Sequence, residues 1–179
     1  MTQPWFIATE TFSPRDGNKW QEYIAWSQLA HLDEVVSLDH MLCPTILPDV
    51  KDEYWPHIVN EDFLLNYFVD LEFLLQQVAA VPDKNLLCVV REPDVDAQSI
   101  VDPRFTLIGF DLVEMDTATS ALVNCGGFPR AFQNSELTSK GLLPSLARAR
   151  EVQLGLRNEY PEEHHAQCDV WQLSRAVTL

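Results

Sequence analysis

Basic residues are scarce in this sequence. Its 179 residues include 12 Lys and Arg but 27 Asp and Glu, so the formal net charge is −15. A negative charge of this size repels nucleic-acid phosphates and anionic lipid, which disfavours binding to DNA, to RNA and to a membrane surface. Glycine occurs 6 times and proline 11 times, which excludes collagen-like and low-complexity chains.

Long hydrophobic runs are absent as well. The most apolar stretch, from Phe63 to Val81, is interrupted by polar residues, and no segment approaches the ~20 apolar residues that a membrane-spanning helix needs. The first ten residues lack the basic start and the apolar run of a signal peptide. We therefore expect a cytoplasmic protein that does not associate with membranes.

Cysteine is present but sparse, and no Cys-x-x-Cys pair occurs. Four widely spaced cysteines do not indicate a disulfide framework, and in a reducing cytosol they are expected to be free thiols that pack as small hydrophobic residues. The four positions are Cys43, Cys88, Cys125 and Cys168.

The remaining composition is that of a folded chain. Hydrophobic residues make up 46% of it, and no repeat or long linker divides it, so we predict a single globular domain over residues 1–179. Apolar runs predict strands, and apolar residues at spacings of three and four predict helices. The predicted strands are 5–9, 35–38, 86–91, 105–115, 118–124 and 169–177. The predicted helices are 18–29, which Asn18 caps, 62–81 and 144–160.

Three of these strands follow one another without an intervening helix, at 86–91, 105–115 and 118–124. Such an order predicts an antiparallel meander and not a parallel βαβ sheet. The expected fold class is α+β, with a mainly antiparallel sheet covered by two or three helices.

The acidic residues concentrate near the front of the chain. Residues 33–72 contain ten acids and one basic residue, Lys51, with Trp55 among them. Carboxylates that surround an exposed aromatic side chain are typical of a surface for a basic protein, because the charges steer the encounter and the aromatic anchors it. The alternatives are that the acidity only confers solubility and that Trp55 is a core residue. The predicted contact residues are Asp49, Asp52, Glu53, Tyr54, Trp55, Glu61 and Asp62.

Cys125 is the strongest candidate for catalysis, because it precedes two glycines at the end of a predicted strand. A thiolate there would act as a nucleophile with His164 or His165 as its base and Asp169 as the group that orients the base. The alternative is a Gly126–Gly127 turn with Cys125 packed beneath it.

A metal site is a weaker possibility. His165 and Cys168 have a spacing that presents two zinc ligands from one turn, but the sequence offers no second compact pair. The alternative is an exposed polar loop. Phosphate-binding, dinucleotide-binding and zinc-protease motifs do not occur, and we expect no cofactor.

Three stretches together resemble runs in small single-domain bacterial proteins: Asn18–Tyr23, Asn124–Phe128 and Tyr160–His164. In overall character the sequence also resembles acidic immunity proteins, which neutralise toxins delivered between competing bacteria. This resemblance implies a non-enzymatic protein that binds a basic toxin, whereas the Cys125 pattern implies a thiol-dependent hydrolase or transferase.

Overall fold

The computed structural model describes residues 3–59, 66–94 and 102–177, and five strands in these ranges form one antiparallel sheet. The strands are β1 (Trp5–Glu10), β2 (Lys84–Arg91), β3 (Phe105–Glu114), β4 (Thr119–Ser120) and β5 (Asp169–Ala176). Three α-helices lie in the same ranges: α1 (Asn18–Ser27), α2 (Leu71–Val78) and α3 (Leu146–Glu159). The predicted α+β class, with a mainly antiparallel sheet covered by two or three helices, is confirmed.

The strand order is β1-β2-β5-β3-β4, so the last strand of the chain lies in the middle of the sheet. The predicted meander is correct for β3 and β4, which pair through Val113 and Ser120, but wrong for β2 and β3, because β5 separates them. The residues of β5 explain its position. Val170, Trp171 and Leu173 are fully buried, and their side chains occupy both faces of the strand, which suits a central strand.

Apolar side chains pack on both faces of the sheet. On one face, Trp171 and Leu173 of β5 join Leu87 and Val89 of β2 and Ile7 of β1 in one cluster. On the other face, α2 covers the β1–β2 side and α3 covers the β3–β5 side. Their buried residues are Leu71, Leu74 and Val78 of α2 and Ala149, Val152 and Leu156 of α3. Full burial of each aliphatic side chain contributes about 1.5–3 kcal/mol, so these faces hold the helices on the sheet.

Helix boundaries differ from the prediction. Asp70 begins α2 by accepting a hydrogen bond from the Phe73 amide, so the helix starts later than the predicted Asp62. Phe68 instead forms bridges to Phe6 and Ile58, and residues 60–65 lie outside the described ranges. Gly17, not Asn18, occupies the cap position of α1.

The predicted strand at 35–38 is also wrong. Val35 makes one isolated bridge to Phe12, but the amide of Leu38 donates to a carboxylate oxygen of Asp111. The amides of Val35 and Val36 donate to the carbonyls of Phe12 and Lys140, which belong to two different segments, and the next bonded amide, that of Leu38, donates to a side chain, so no ladder forms.

Candidate functional site

Four of the ten acids within residues 33–72 are engaged inside the molecule. Asp39 is buried, and Glu34 forms ion pairs with Arg175 (2.8 Å) and Lys140 (3.1 Å). Asp70 caps α2 and lies 3.0 Å from His57 Nδ1, and Glu72 pairs with Arg104 at 2.6 Å. These four carboxylates therefore do not contribute free negative charge to a recognition surface.

Three other acids of this window are exposed beside an exposed tryptophan. Asp49, Asp52, Glu53 and Trp55 form the group that we call the acidic–aromatic surface, and Trp55 is 49% exposed. None of the three carboxylates forms an ion pair or a side-chain hydrogen bond with any residue in the described ranges. Their charge thus stays available to an external cation.

Tyr54 does not belong to this surface, so its prediction as a contact residue is wrong. It is 2% exposed, and its ring packs edge-on against Phe68 (5.8 Å between centroids) and Phe73 (5.7 Å). Asp52–Tyr54 form a short 3-10 turn, which directs Tyr54 into the core while Glu53 and Trp55 stay outside. The two other predicted contacts, Glu61 and Asp62, lie outside the described residues.

The backbone around Trp55 is fixed by hydrogen bonds. The His57 amide donates to the Tyr54 carbonyl, and the Val69 amide donates to the His57 carbonyl, both at 2.8 Å. The His57 ring stacks on Phe73 at 3.9 Å with an interplanar angle of 6°. Trp55 therefore extends from an ordered segment, which lowers the entropy cost of using it as an anchor.

Cys125 does not have the environment of a nucleophile. Its Sγ donates to the Ala121 carbonyl oxygen at 2.6 Å, and burial raises the pKa of this thiol to about 12, although the nearby Gly127 amide acts in the opposite direction. Reactive cysteines need a lowered pKa so that the thiolate is present at neutral pH. At neutral pH the Cys125 thiol is protonated.

The proposed partners of Cys125 are not arranged around it. His164 is exposed, and the His165 ring packs near Phe128, with its buried Nε2 unbonded to any described residue. Burial lowers the pKa of His165. Asp169 pairs with Arg91 at 2.6 Å. Among the described hydrogen bonds, none joins Cys125, a histidine and Asp169 as a catalytic triad requires.

The pair His165 and Cys168 gains no further ligand in the described part of the chain, where no group of three or more His, Cys, Asp or Glu side chains is arranged to hold a metal ion. Cys168 is buried, and this burial raises the pKa of its thiol. A structural zinc site needs four deprotonated or neutral ligands in tetrahedral geometry, which this pair alone does not provide.

The structure also contains a buried polar network that sequence reasoning missed. Asp111 in β3 is fully buried and accepts four hydrogen bonds. Its Oδ2 accepts from Ser37 Oγ (2.5 Å) and the Leu38 amide, and its Oδ1 accepts from Ser120 Oγ (2.6 Å) and the Leu112 amide. Burial outweighs these bonds and raises the pKa of Asp111.

Asp39 lies in the same network and is also saturated. Its Oδ1 accepts from the amides of Met41 and Leu42, and its Oδ2 accepts from the Ser120 amide and Asn124 Nδ2. Because every carboxylate oxygen is already bonded, the network holds the 37–43 segment against β3 and β4 and leaves no oxygen for chemistry. The available sequence signal was an acid, Asp111, between apolar residues in the middle of a predicted strand.

None of the described helices is long and apolar enough to cross a lipid bilayer. Comparisons with protein-family models, with curated proteins and with solved structures find no match to this chain.

Proposed function

We propose that this protein is a non-enzymatic binding protein whose acidic–aromatic surface engages a basic protein partner. The observation that carries this proposal is the exposed Trp55 beside three carboxylates, none of which is paired with a described residue. The four side chains lie within seven residues of one segment, so they meet a partner together.

Each part of this surface has a distinct role. Tryptophan is enriched among residues that dominate binding energy, because it buries a large apolar area with few rotatable bonds. The carboxylates of Asp49, Asp52 and Glu53 attract Lys and Arg side chains and accelerate the encounter, and this attraction weakens as salt screens it. A basic partner is favoured over an acidic or neutral one on this ground.

The finer proposal is that the partner is a bacterial toxin and that the protein acts in the cytoplasm as its immunity protein. The net charge of −15 and the general likeness to acidic immunity proteins support it. A tightly bound acidic protein blocks a basic toxin by covering the cationic residues that the toxin uses on its own substrate.

To test the surface, the unmodified chain and four variants are each immobilised on a column. A lysate of the source cells is passed over every column, and the proteins that each column retains are compared. Trp55→Ala and the double variant Asp52→Asn, Glu53→Gln are expected to lose a basic protein that the unmodified chain retains at low salt. Loss of a central aromatic anchor costs about 2 kcal/mol or more, roughly a thirtyfold weakening. The controls are Trp26→Ala, which removes a tryptophan that is 54% exposed on α1, and the double variant Glu10→Gln, Glu22→Gln, which removes two exposed carboxylates outside the surface.

Retention of the same basic protein by the Trp55→Ala column, or equal loss on the Trp26→Ala column, would overturn the assignment of the surface. Capture of an acidic protein alone would overturn the charge argument. For the immunity role, the captured protein is expressed in a host cell that it kills. Coexpression of the unmodified chain is expected to restore growth, and death despite coexpression counts against that role.

A further inference from the structure

A cleft of about 1120 Å³ lies away from the acidic–aromatic surface. Its walls come from the turn at residues 11–15, the connection from α2 into β2, and the end of β5. Ligand sites for small molecules occupy about 300–1000 Å³, so this open cleft has room for one. None of its lining residues belongs to the acidic–aromatic surface.

One wall of the cleft is apolar. Pro14, Leu75, Val81, Pro82 and Leu86 line it. Small-molecule sites are mostly lined by such side chains, with a few polar groups that fix orientation. The wall therefore favours a ligand with an apolar body.

The charges in the cleft differ from those of the rest of the molecule. Three basic and three acidic side chains line it, whereas the whole chain has a net charge of −15. Arg175 is paired with Glu34, but Arg15 has no ion-pair partner among the described residues, and Lys84 Nζ bonds only to the Val81 carbonyl at 2.7 Å. Asp33 and Asp83 line the same cleft and form no ion pair with a described residue either, so the lining is close to neutral and repels an anion less than the acidic surface does, while Arg15 and Lys84 are open to it.

Asn85 adds an unpaired donor to the same cleft. It is 2% exposed, its Oδ1 accepts from Arg175 at 3.3 Å, and its Nδ2 bonds to no described residue. Thr9, its cross-strand partner in β1, is equally buried, and its Oγ1 also has no partner. A buried donor without an acceptor costs about 1–3 kcal/mol, so an acceptor oxygen supplied from the cleft would be stabilising.

We infer that this cleft binds a small molecule that carries a carboxylate on an apolar body. The carboxylate lies at the end formed by Arg15, Lys84 and Asn85, where it accepts charge-assisted hydrogen bonds. The apolar body lies along the wall of Leu75, Val81 and Leu86.

The inference is tested by nuclear magnetic resonance titration of ¹⁵N-labelled protein with four trileucine probes. Two carry a free carboxylate, trileucine and N-acetyl-trileucine, and two carry a terminal amide in its place. The carboxylates are expected to produce saturable shifts in the amides of residues 81–86 and in the side-chain amide of Asn85. The amide probes are expected to bind about tenfold more weakly, as loss of a charge-assisted bond predicts.

Two charge-matched variants complete the test. Arg15→Ala is expected to weaken binding of both carboxylates about fivefold, as loss of one partly exposed charged contact predicts, and to leave the amide probes unchanged. Lys19→Ala removes the same charge from an exposed position on α1 outside the cleft and is expected to change nothing. Equal affinity for acids and amides, equal effects of the two variants, or no saturable shift at millimolar probe would each overturn the inference.

Discussion

At the scale of single residues, Asp111 is the least expected feature of the core. A fully buried carboxylate is costly unless it is hydrogen-bonded, and here two serine hydroxyls and two backbone amides supply the bonds. The donors come from the 37–38 segment, from β3 itself and from β4, so one side chain joins three parts of the chain.

Replacement of this carboxylate should therefore destabilise the fold. Asp111→Asn keeps the size of the side chain but turns one acceptor into a donor that faces existing donors, and we expect a loss of about 3 kcal/mol in the free energy of unfolding. Urea denaturation followed by fluorescence measures it. Asp116→Asn makes the same chemical change in an exposed turn and should stay within about 0.5 kcal/mol of the parent. Equal stability of the two variants would show that the network is dispensable.

Tyr54 and Trp55 show that the exposure of neighbouring side chains is not predictable from the sequence pattern alone. Both are aromatic, both lie in the acidic window, and the sequence predicted both as contacts. The structure buries Tyr54 and exposes Trp55 because successive residues of a short helical turn point in different directions. Neither composition nor charge contains that information.

At the scale of elements, the irregular pairing of β3 with β5 requires a glycine at position 109. The register of β3 against β5 shifts between Leu107 and Gly109, and Gly109 has φ +146°. The next residue, Phe110, exchanges two backbone hydrogen bonds with Leu143 at 2.9 Å. The irregularity thus allows the 138–143 segment to approach the strand closely, as bulges commonly do.

A side chain at position 109 is not expected to fit beside the closely approaching 138–143 segment. A Cβ at residue 109 would lie 2.7 Å from Leu142 Cβ and 2.9 Å from the Leu143 carbonyl oxygen. We expect Gly109→Ala to lower the free energy of unfolding by about 3 kcal/mol, since overpacking and backbone strain act together. Thermal and urea unfolding measure the change.

Gly126→Ala provides the control, because Gly126 also has a positive φ (+75°) but its added Cβ meets nothing within 4 Å. Backbone strain alone predicts that Gly126→Ala lowers the free energy of unfolding by about 1 kcal/mol. If the two substitutions cost the same, close packing at Gly109 is not the cause of its requirement for glycine.

At the scale of the whole molecule, basic residues from the second half of the chain neutralise acids from the first half. Arg175 pairs with Glu34, 141 residues earlier, and Arg104 pairs with Glu72. The sequence placed acidic residues at high density near the front of the chain. The ion pairs that form on folding reduce the acids of residues 33–72 to a smaller exposed group.

The Glu34 contacts predict a pH-dependent stability. Burial alone would raise the pKa of Glu34, but hydrogen bonds from Arg175 and Lys140 outweigh burial and hold it below the ordinary 4.5. A lowered pKa in the folded state stabilises the protein above pH 4.5, and this contribution is lost as the pH falls below that value. Glu34→Gln should cost about 2 kcal/mol at pH 7 and progressively less towards pH 3.

Urea denaturation of both proteins between pH 3 and pH 7 measures this difference. Glu53→Gln is the control, because Glu53 is exposed and forms no ion pair with a described residue. A constant difference for Glu34→Gln over the whole range would contradict the ion-pair assignment, since loss of packing alone does not titrate.

The sequence by itself determined the fold class, the existence of most helices and strands, and the pairing of β3 with β4. These follow from local periodicity and from short connections, which residues within one segment encode. It also predicted Asp49, Asp52, Glu53 and Trp55 as contact residues, but the exposure of Trp55 and the burial of Tyr54, which was predicted with them, were decided by the tertiary structure.

Only the tertiary structure decided that β5 enters the centre of the sheet, that Asp39 and Asp111 are buried together, and that Arg175 reaches Glu34. Each of these depends on contacts between residues some 70 to 141 positions apart. Such contacts are selected by the burial of complementary surfaces when the whole chain folds, because no single segment holds both partners.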